Sequence, residues 1–318
     1  MLDFKPVTIE DKDAIQSFFD QSTFRNCDFS FSNIFCWRHS YDTTFAVENG
    51  WLYIRFQAKN DKPGYLFPLC QPLSSAPSPQ GEGVTPFPCG EGLGHALERI
   101  MRDAERRNEA VRLYAVTREM FEQIEQAMPG KFTFQTDRAW FEYLYRSEDL
   151  ISLVGKKYQS KRNHINKFKR MYPDWEYLPV TRAIIPDCLK LYDRWCSENG
   201  DCNDPSLQEE HLATKKAFAE YEKLGLIGGA LRINGEILAY SYGQALTTDT
   251  FGVYAEKSLY EIDGGFTMMN QQFAEHNCAN YTYINREEDL GIESLRKAKE
   301  SYQPDFLLEK GFVILKES

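Results

Sequence analysis

Two Asn-Gly pairs, Asn49-Gly50 and Asn234-Gly235, each lie between apolar runs, and no other feature of the 318-residue chain restricts its fold as strongly. Asn-Gly suits the two positive φ angles of a tight hairpin turn. Antiparallel hairpins are therefore expected over 44–56 and 230–242. Their surroundings match as well. Phe4-Lys-Pro-Val-Thr8 and Tyr177-Leu-Pro-Val-Thr181 each give an extended run leading into a helix, over 10–20 in the first half and 185–196 in the second. One order of elements occurring twice predicts a duplicated α/β unit, divided into 1–150 and 151–318.

The first copy continues with a strand over 64–70 and an irregular loop over 71–90 whose prolines and glycines interrupt any ladder. A helix over 93–108 follows, with Ala96, Leu97, Ile100 and Ala104 on its buried side. A strand over 111–116, a helix over 118–128 and one or two closing strands within 132–145 complete it. The second copy continues with a strand over 250–255, helices over 265–277 and 291–302 around a strand over 281–284, and one strand over 306–315. The aromatic-rich run from Cys27 to Arg38 fits a helix turned to the core or the lining of a pocket.

Composition narrows the class. A hydrophobic content of 42% supports a large core. The start of the chain lacks a basic stretch followed by an apolar one, and no window offers the roughly 18 apolar residues of a membrane span. A soluble, cytoplasmic protein is expected. Eight cysteines and five histidines are scattered without paired spacing, so reduced thiols and no metal site are expected. A net charge of −10 argues against broad nucleic-acid binding and leaves room for one local basic surface.

That surface is the stretch Gly155 to Arg170, with seven basic residues and no acidic one. As a linker helix opening the second domain, it places Tyr158, Ile165, Phe168 and Tyr172 on one stripe and Lys156, Lys167 and Arg170 away from it. Lys161 falls inside the apolar stripe, with Arg162 at its edge. A lysine there either snorkels to water or is held by an anion. His164 is a candidate phosphate donor or an exposed residue.

The element order resembles that of the GNAT acyltransferase fold, and two such units in tandem resemble the C-terminal domain of phosphatidylglycerol lysyltransferases. An uncharacterised bacterial family related to it is similar over the whole chain, and the Fem peptidoglycan aminoacyltransferases are similar more distantly. The pieces that carry the resemblance are Lys157-Tyr-Gln-Ser-Lys-Arg-Asn-His164, Asn285-Arg-Glu-Glu-Asp-Leu-Gly291 and Leu295-Arg-Lys-Ala-Lys-Glu-Ser-Tyr-Gln-Pro304. The resemblance implies an α/β (α+β) fold of two tandem GNAT-like domains with mixed, mostly antiparallel sheets. It implies an acyl-CoA or aminoacyl-tRNA donor. Lys299-Glu-Ser-Tyr302 resembles the Lys-x-x-Phe of the Fem enzymes, whose lysine works at the reaction centre. One departure stands out. The turn where GNAT enzymes hold pyrophosphate reads Glu261-Ile-Asp-Gly-Gly-Phe266 here, and Asp263 would repel a phosphate. The corresponding turn of the first half, Gly90-Glu-Gly-Leu-Gly94, is also a poor match.

Acyl transfer needs a nucleophile freed of its proton and a donor set for the developing oxyanion. Lys299 falls on the apolar stripe of Ile292, Leu295, Ala298 and Tyr302, where a cation needs a partner. An oxyanion role and an ion pair with a carboxylate are both open to it. Glu287 and Glu288 offer that carboxylate, and Glu287 is equally a proton acceptor; Asp289 fits a helix cap. Glu256, at the end of a central strand, is a candidate general base. Arg286 suits phosphate or carboxylate through its planar fork. Lys161, Arg162, His164, Arg286 and Tyr302 form the expected substrate-binding set. The expected activity is transfer of an acyl or aminoacyl group to an amine or hydroxyl. The alternative is a degenerate, non-catalytic pair that binds a nucleotide, RNA or protein.

Overall fold

The computed structural model describes residues 2–57, 62–71, 92–198 and 204–316. The expected loop over 71–90 lies almost wholly outside them, as do Gly90 and Glu91 of the glycine-rich turn. Along the chain the strands are β1 Lys5–Pro6, β2 Thr44–Glu48, β3 Trp51–Phe56, β4 Gly64–Leu66, β5 Leu69–Cys70, β6 Arg112–Thr117, β7 Phe132–Thr136, β8 Glu142–Arg146, β9 Glu176–Pro179, β10 Ile227–Ile233, β11 Glu236–Ala245, β12 Thr250–Ser258, β13 Tyr283–Asn285, β14 Phe306–Leu308 and β15 Lys310–Leu315.

They form two sheets of one plan. The first runs β1-β2-β3-β4-β6-β15-β7, with β5 also paired to β3, and the second runs β9-β10-β11-β12-β13-β8-β14. In each, the Asn-Gly hairpin supplies the second and third strands. Asn49 and Gly50 have φ of 52° and 78°, and Asn234 and Gly235 have 50° and 84°, the two positive angles that the turn demands. Each sheet contains one parallel pair, β4 with β6 and β12 with β13, and its other pairs are antiparallel. The expected mixed, mostly antiparallel GNAT-like sheets are therefore present.

The two units are interleaved along the chain, and the expected cut at 150 is not where they part. The first comprises 1–23, 37–140 and 309–318; the second comprises 24–36 and 141–308. The reason is strand pairing. β8 follows β7 after a short turn, but it lies between β13 and β14 of the second sheet. β15 follows β14 after Glu309 alone, yet it pairs with β6 and β7 of the first sheet. The single strand expected over 306–315 is thus two strands in different sheets. Each sheet receives its sixth strand from the far side of the sequence, where burial on both flanks rewards runs such as Tyr143-Leu144-Tyr145, all at most 1% exposed.

Helices cover these sheets as their apolar stripes dictate. In Leu93–Arg106, Ala96, Leu97, Ile100 and Ala104 are buried, as expected. The helix Phe31–Tyr41 confirms that the aromatic run turns to the core: Phe31 and Phe35 are buried in the second unit. The basic stretch forms the helix Gln159–Met171, whose Ile165 and Phe168 are buried. Between Ile185–Glu198 and β10 lies a long helix, Pro205–Ala219, that the order of elements did not reveal. It is capped by Asp204, whose carboxylate accepts from Ser206 N at 2.7 Å. All six described cysteines are free thiols.

Interleaving has a measurable consequence. A chain ended after Leu308 lacks the strand between β6 and β7. It should lose amide-exchange protection over Arg112–Thr117 and Phe132–Thr136 while Thr250–Ser258 stays protected. Protection kept in β6 and β7 would contradict this assignment.

Candidate active site

β12 and β13 run parallel for three residue pairs, ending at Gly252 opposite Asn285. β12 then continues to Ser258 with β11, whereas β13 stops. The loop 286–289 leaves this split with Glu287 in the left-handed region, φ 56°. Its main chain is caught on one side by β8, Arg286 N donating to Tyr143 O at 3.0 Å and Tyr143 N to Glu287 O at 3.2 Å. Asn285 fixes the bend, accepting from Glu287 N at 2.8 Å and donating to Glu142 Oε2 at 2.5 Å.

The remaining carbonyls of the loop face Lys299. Its ammonium donates to Arg286 O and to Glu288 O, each at 2.5 Å. Lys299 sits on the helix Glu293–Glu300 and is 8% exposed. Tyr145 Oη holds that helix by donating to Lys299 O at 2.8 Å. Burial pushes the Lys299 ammonium down to about 8; Glu287 and Glu288 oppose the shift and Arg286 adds to it. The expectation of a carboxylate partner is met only through the field of Glu287 and Glu288: the direct contacts are carbonyl oxygens. An ammonium has three N–H donors, and two are spent here.

A second cluster builds on Arg286. Its Nη2 donates to Glu256 Oε1 at 3.1 Å, both side chains nearly buried. Glu256 Oε2 accepts from Asn270 Nδ2 at 3.1 Å. Burial opposes the Arg286 charge, but Glu256, Tyr145 and Tyr302 hold its pKa above the usual value. The guanidinium carbon lies 4.9 Å from the Tyr302 ring centroid and Lys161 Nζ lies 3.6 Å from it. Lys161 Nζ also donates to Ser301 Oγ at 2.6 Å. Burial and then Arg286 push the Lys161 ammonium down to about 8, against Glu256. Burial raises the Tyr302 phenol to about 12.

Lys161, Glu256, Arg286, Tyr302, Lys299 and Glu287 are thus gathered about the split, and two expected binding residues are engaged elsewhere. Arg162 donates to Leu153 O, and to Gly155 O at 2.7 Å, closing the end of the preceding helix Ser147–Ser152. His164 is exposed, at the rim of a 480 Å³ cavity lined by Tyr260 to Thr267. Asp289 is structural but does not cap the helix Glu293–Glu300 as expected: the capping position is Ile292, which has no side-chain cap bond, and Asp289 instead gathers donors around the loop. It accepts from Arg296 Nε and Nη2 at 2.8 and 2.9 Å, from Tyr143 Oη at 2.6 Å and from Gly291 N at 2.8 Å. These bonds, Arg296 first, hold its carboxyl well below the usual range.

The pyrophosphate turn does not fit a phosphate. Asp263 pairs with Lys167 and Glu261 with Arg194. The His164 carbonyl rests on Gly264, where a Cβ would come within 2.8 Å of it. The mouth of the helix Gly265–Asn277 is lined by acceptors, and anions need donors there.

Sequence reasoning missed Tyr145, Asn270, Asn285 and Glu142. Glu142 is fully buried and accepts from Cys27 N at 3.3 and 3.2 Å, which ties the 24–36 segment to the second unit. A carboxylate inside the apolar run of β8 was the available signal.

The sequence profile described as phosphatidylglycerol lysyltransferase, C-terminal, matches residues 19–313. A conserved protein of unknown function from Bacteroides thetaiotaomicron VPI-5482 is 40% identical, with 99% of this chain and 100% of that chain covered and a TM-score of 0.89. L-PGS from Bacillus licheniformis is 14% identical over 96% of this chain and 92% of that chain, TM-score 0.62. FemX is 9% identical over 99% and 98%, TM-score 0.57; these two likenesses concern the fold alone. An uncharacterised protein of Mycoplasmoides gallisepticum is 25% identical over 173 residues, 54% of this chain, which spans about half (55%) of that curated relative. Among the described residues no helix is long and apolar enough to cross a membrane.

The depressed lysine gives a pH test. Native Lys299 releases its proton near 8, below its ordinary value of 10.5. Between these values the unfolded chain binds more protons, so stability rises with pH. The unfolding free energy of the wild type relative to Lys299→Met should therefore climb as pH rises from 7.5 to 9.5. A flat or falling difference in urea titrations would contradict the buried ammonium.

Proposed function

The chain belongs to the phosphatidylglycerol lysyltransferase C-terminal family, and from that membership and the setting of Lys299 we propose that it transfers an aminoacyl group from an activated ester to an amine or hydroxyl. The observation that carries this reading is a buried ammonium held by two main-chain carbonyls, with one N–H left over. In the reaction the acceptor attacks the ester carbonyl and the oxyanion that forms takes the remaining Lys299 N–H. Glu287, whose carboxylate acts on Lys299, accepts the acceptor's proton. The ester C–O bond then breaks as the oxyanion collapses, and the departing oxygen takes the proton that Glu287 received. Glu256 is assigned to orienting Arg286, since both its oxygens already accept hydrogen bonds. The acceptor-lined turn at 261–266 favours an aminoacyl-tRNA over an acyl-CoA as donor.

The test uses the purified chain with tRNA charged with labelled amino acids, beside labelled acyl-CoA, and fractions of amine- and hydroxyl-bearing acceptors. Label should pass from charged tRNA to an acceptor. Lys299→Met should lower that rate by roughly 10²- to 10³-fold, as loss of one oxyanion donor does. A protein that moves label from neither donor would favour the non-catalytic reading, and one that uses acyl-CoA would overturn the choice of donor.

A further inference from the structure

Arg286 has more hydrogen-bonding capacity than the protein uses. Its Nη2 meets Glu256, but Nη1 is buried with no hydrogen-bond partner in the structure. An unpartnered buried donor is costly, the more so when it is charged. Lys161 stands against the same Tyr302 ring, and among the described residues its one hydrogen bond goes to the neutral Ser301 Oγ. With Glu256 as the one carboxylate paired here, the cluster carries two cations against one anion. Thr267 hydrogen-bonds the Tyr302 phenol, and Asn270 serves Glu256 through Nδ2 while its neutral Oδ1 is buried without a hydrogen bond among the described residues. What the cluster lacks is an acceptor-only, negatively charged group.

We propose that Arg286, Lys161 and Tyr302 form a subsite for one oxyanion of the substrate, a phosphoryl or carboxylate group lying beside the transfer centre at Lys299. The guanidinium Nη1 supplies a directional donor, Lys161 supplies a mobile charge from its half-buried place on the basic helix, and the Tyr302 ring keeps both cations in position. Because Nη1 is closed to water, Lys161 moves with the arriving anion, exchanging the ring face for an oxygen. This deepens the proposed function, since it assigns an anionic group to a substrate of the same site. It stands on different residues, so the two can fail separately.

The experiment is calorimetric titration of the full chain with inorganic phosphate and with acetate at constant ionic strength. Saturable binding is expected for one of them. Phosphate identifies a phosphoryl group, and acetate without phosphate identifies a carboxylate. Lys161→Gln and Arg286→Lys, the second of which keeps the charge opposite Glu256 while removing Nη1, should each weaken binding about 10-fold or more. Absence of saturable binding would overturn the subsite and leave the faces of Tyr145 and Tyr302 as the partners of Arg286. Binding that both variants leave intact would also overturn it, as an adventitious ion only. Neither result touches the proposed transfer at Lys299, which is read by turnover.

Discussion

A parallel strand pair that separates after three residues governs the chemistry of the second unit. Where β12 and β13 part, the main chain of 286–288 leaves the ladder and its polar groups need partners elsewhere. β8 takes the amide of Arg286 and the carbonyl of Glu287. The carbonyls of Arg286 and Glu288 are left, and Lys299 takes both. One ammonium therefore closes the split and is fixed where an ester carbonyl is proposed to be attacked. Its structural role and its proposed chemical role share one cause, since the geometry that exposes the carbonyls also holds the lysine.

Charges buried around the split are tolerated because each is bound in several directions. Asp289 has four donors from Arg296, Tyr143 and Gly291. Glu142 accepts from Cys27 and Asn285, and Asn285 reaches the Arg25 carbonyl at 2.8 Å. Removing one member of such a pair leaves an uncompensated charge, at a cost of about 3–5 kcal/mol. A well-packed apolar set would be no less stable. These groups instead impose direction: Asn285 sets the bend at Glu287, and the bend aims the carbonyls at Lys299.

The hairpins, the doubled order of elements and most helices were legible because each follows from local chemistry, such as an Asn-Gly turn or an apolar stripe. Lys161, Glu256, Arg286 and Tyr302 were legible as polar residues on buried stripes or strand ends; Lys299 is buried as expected, but the stripe expected around it is not, since Ile292 is 50% exposed and Ala298 is exposed. What escaped was non-local. Nothing near Glu309 indicates that the chain changes sheets there, because the partners of β15 are β6 and β7, far away in sequence. The helix Pro205–Ala219 escaped for a different reason. Its cap Asp204-Pro205 is a local signal, but polar Thr214 shares the buried face with Ala213, Ala217 and Phe218, so no plain apolar stripe marks the helix.

The basic helix shows how charge density can mislead. Lys157 pairs with Asp149, Arg162 closes the carbonyl end of Ser147–Ser152, and Lys167 pairs with Asp263 ahead of Gly265–Asn277. Those contacts bind the helix to its neighbours on both sides within the second unit. They also place a carboxylate and the His164 carbonyl where a GNAT enzyme would receive phosphate. A helix that reads as a phosphate surface therefore helps to close the phosphate turn, and from its five cations it delivers Lys161 to the cluster around Tyr302. The proposed anion subsite accordingly lies at Tyr302 and at Arg286, the residue after β13, and not at the turn the fold would suggest.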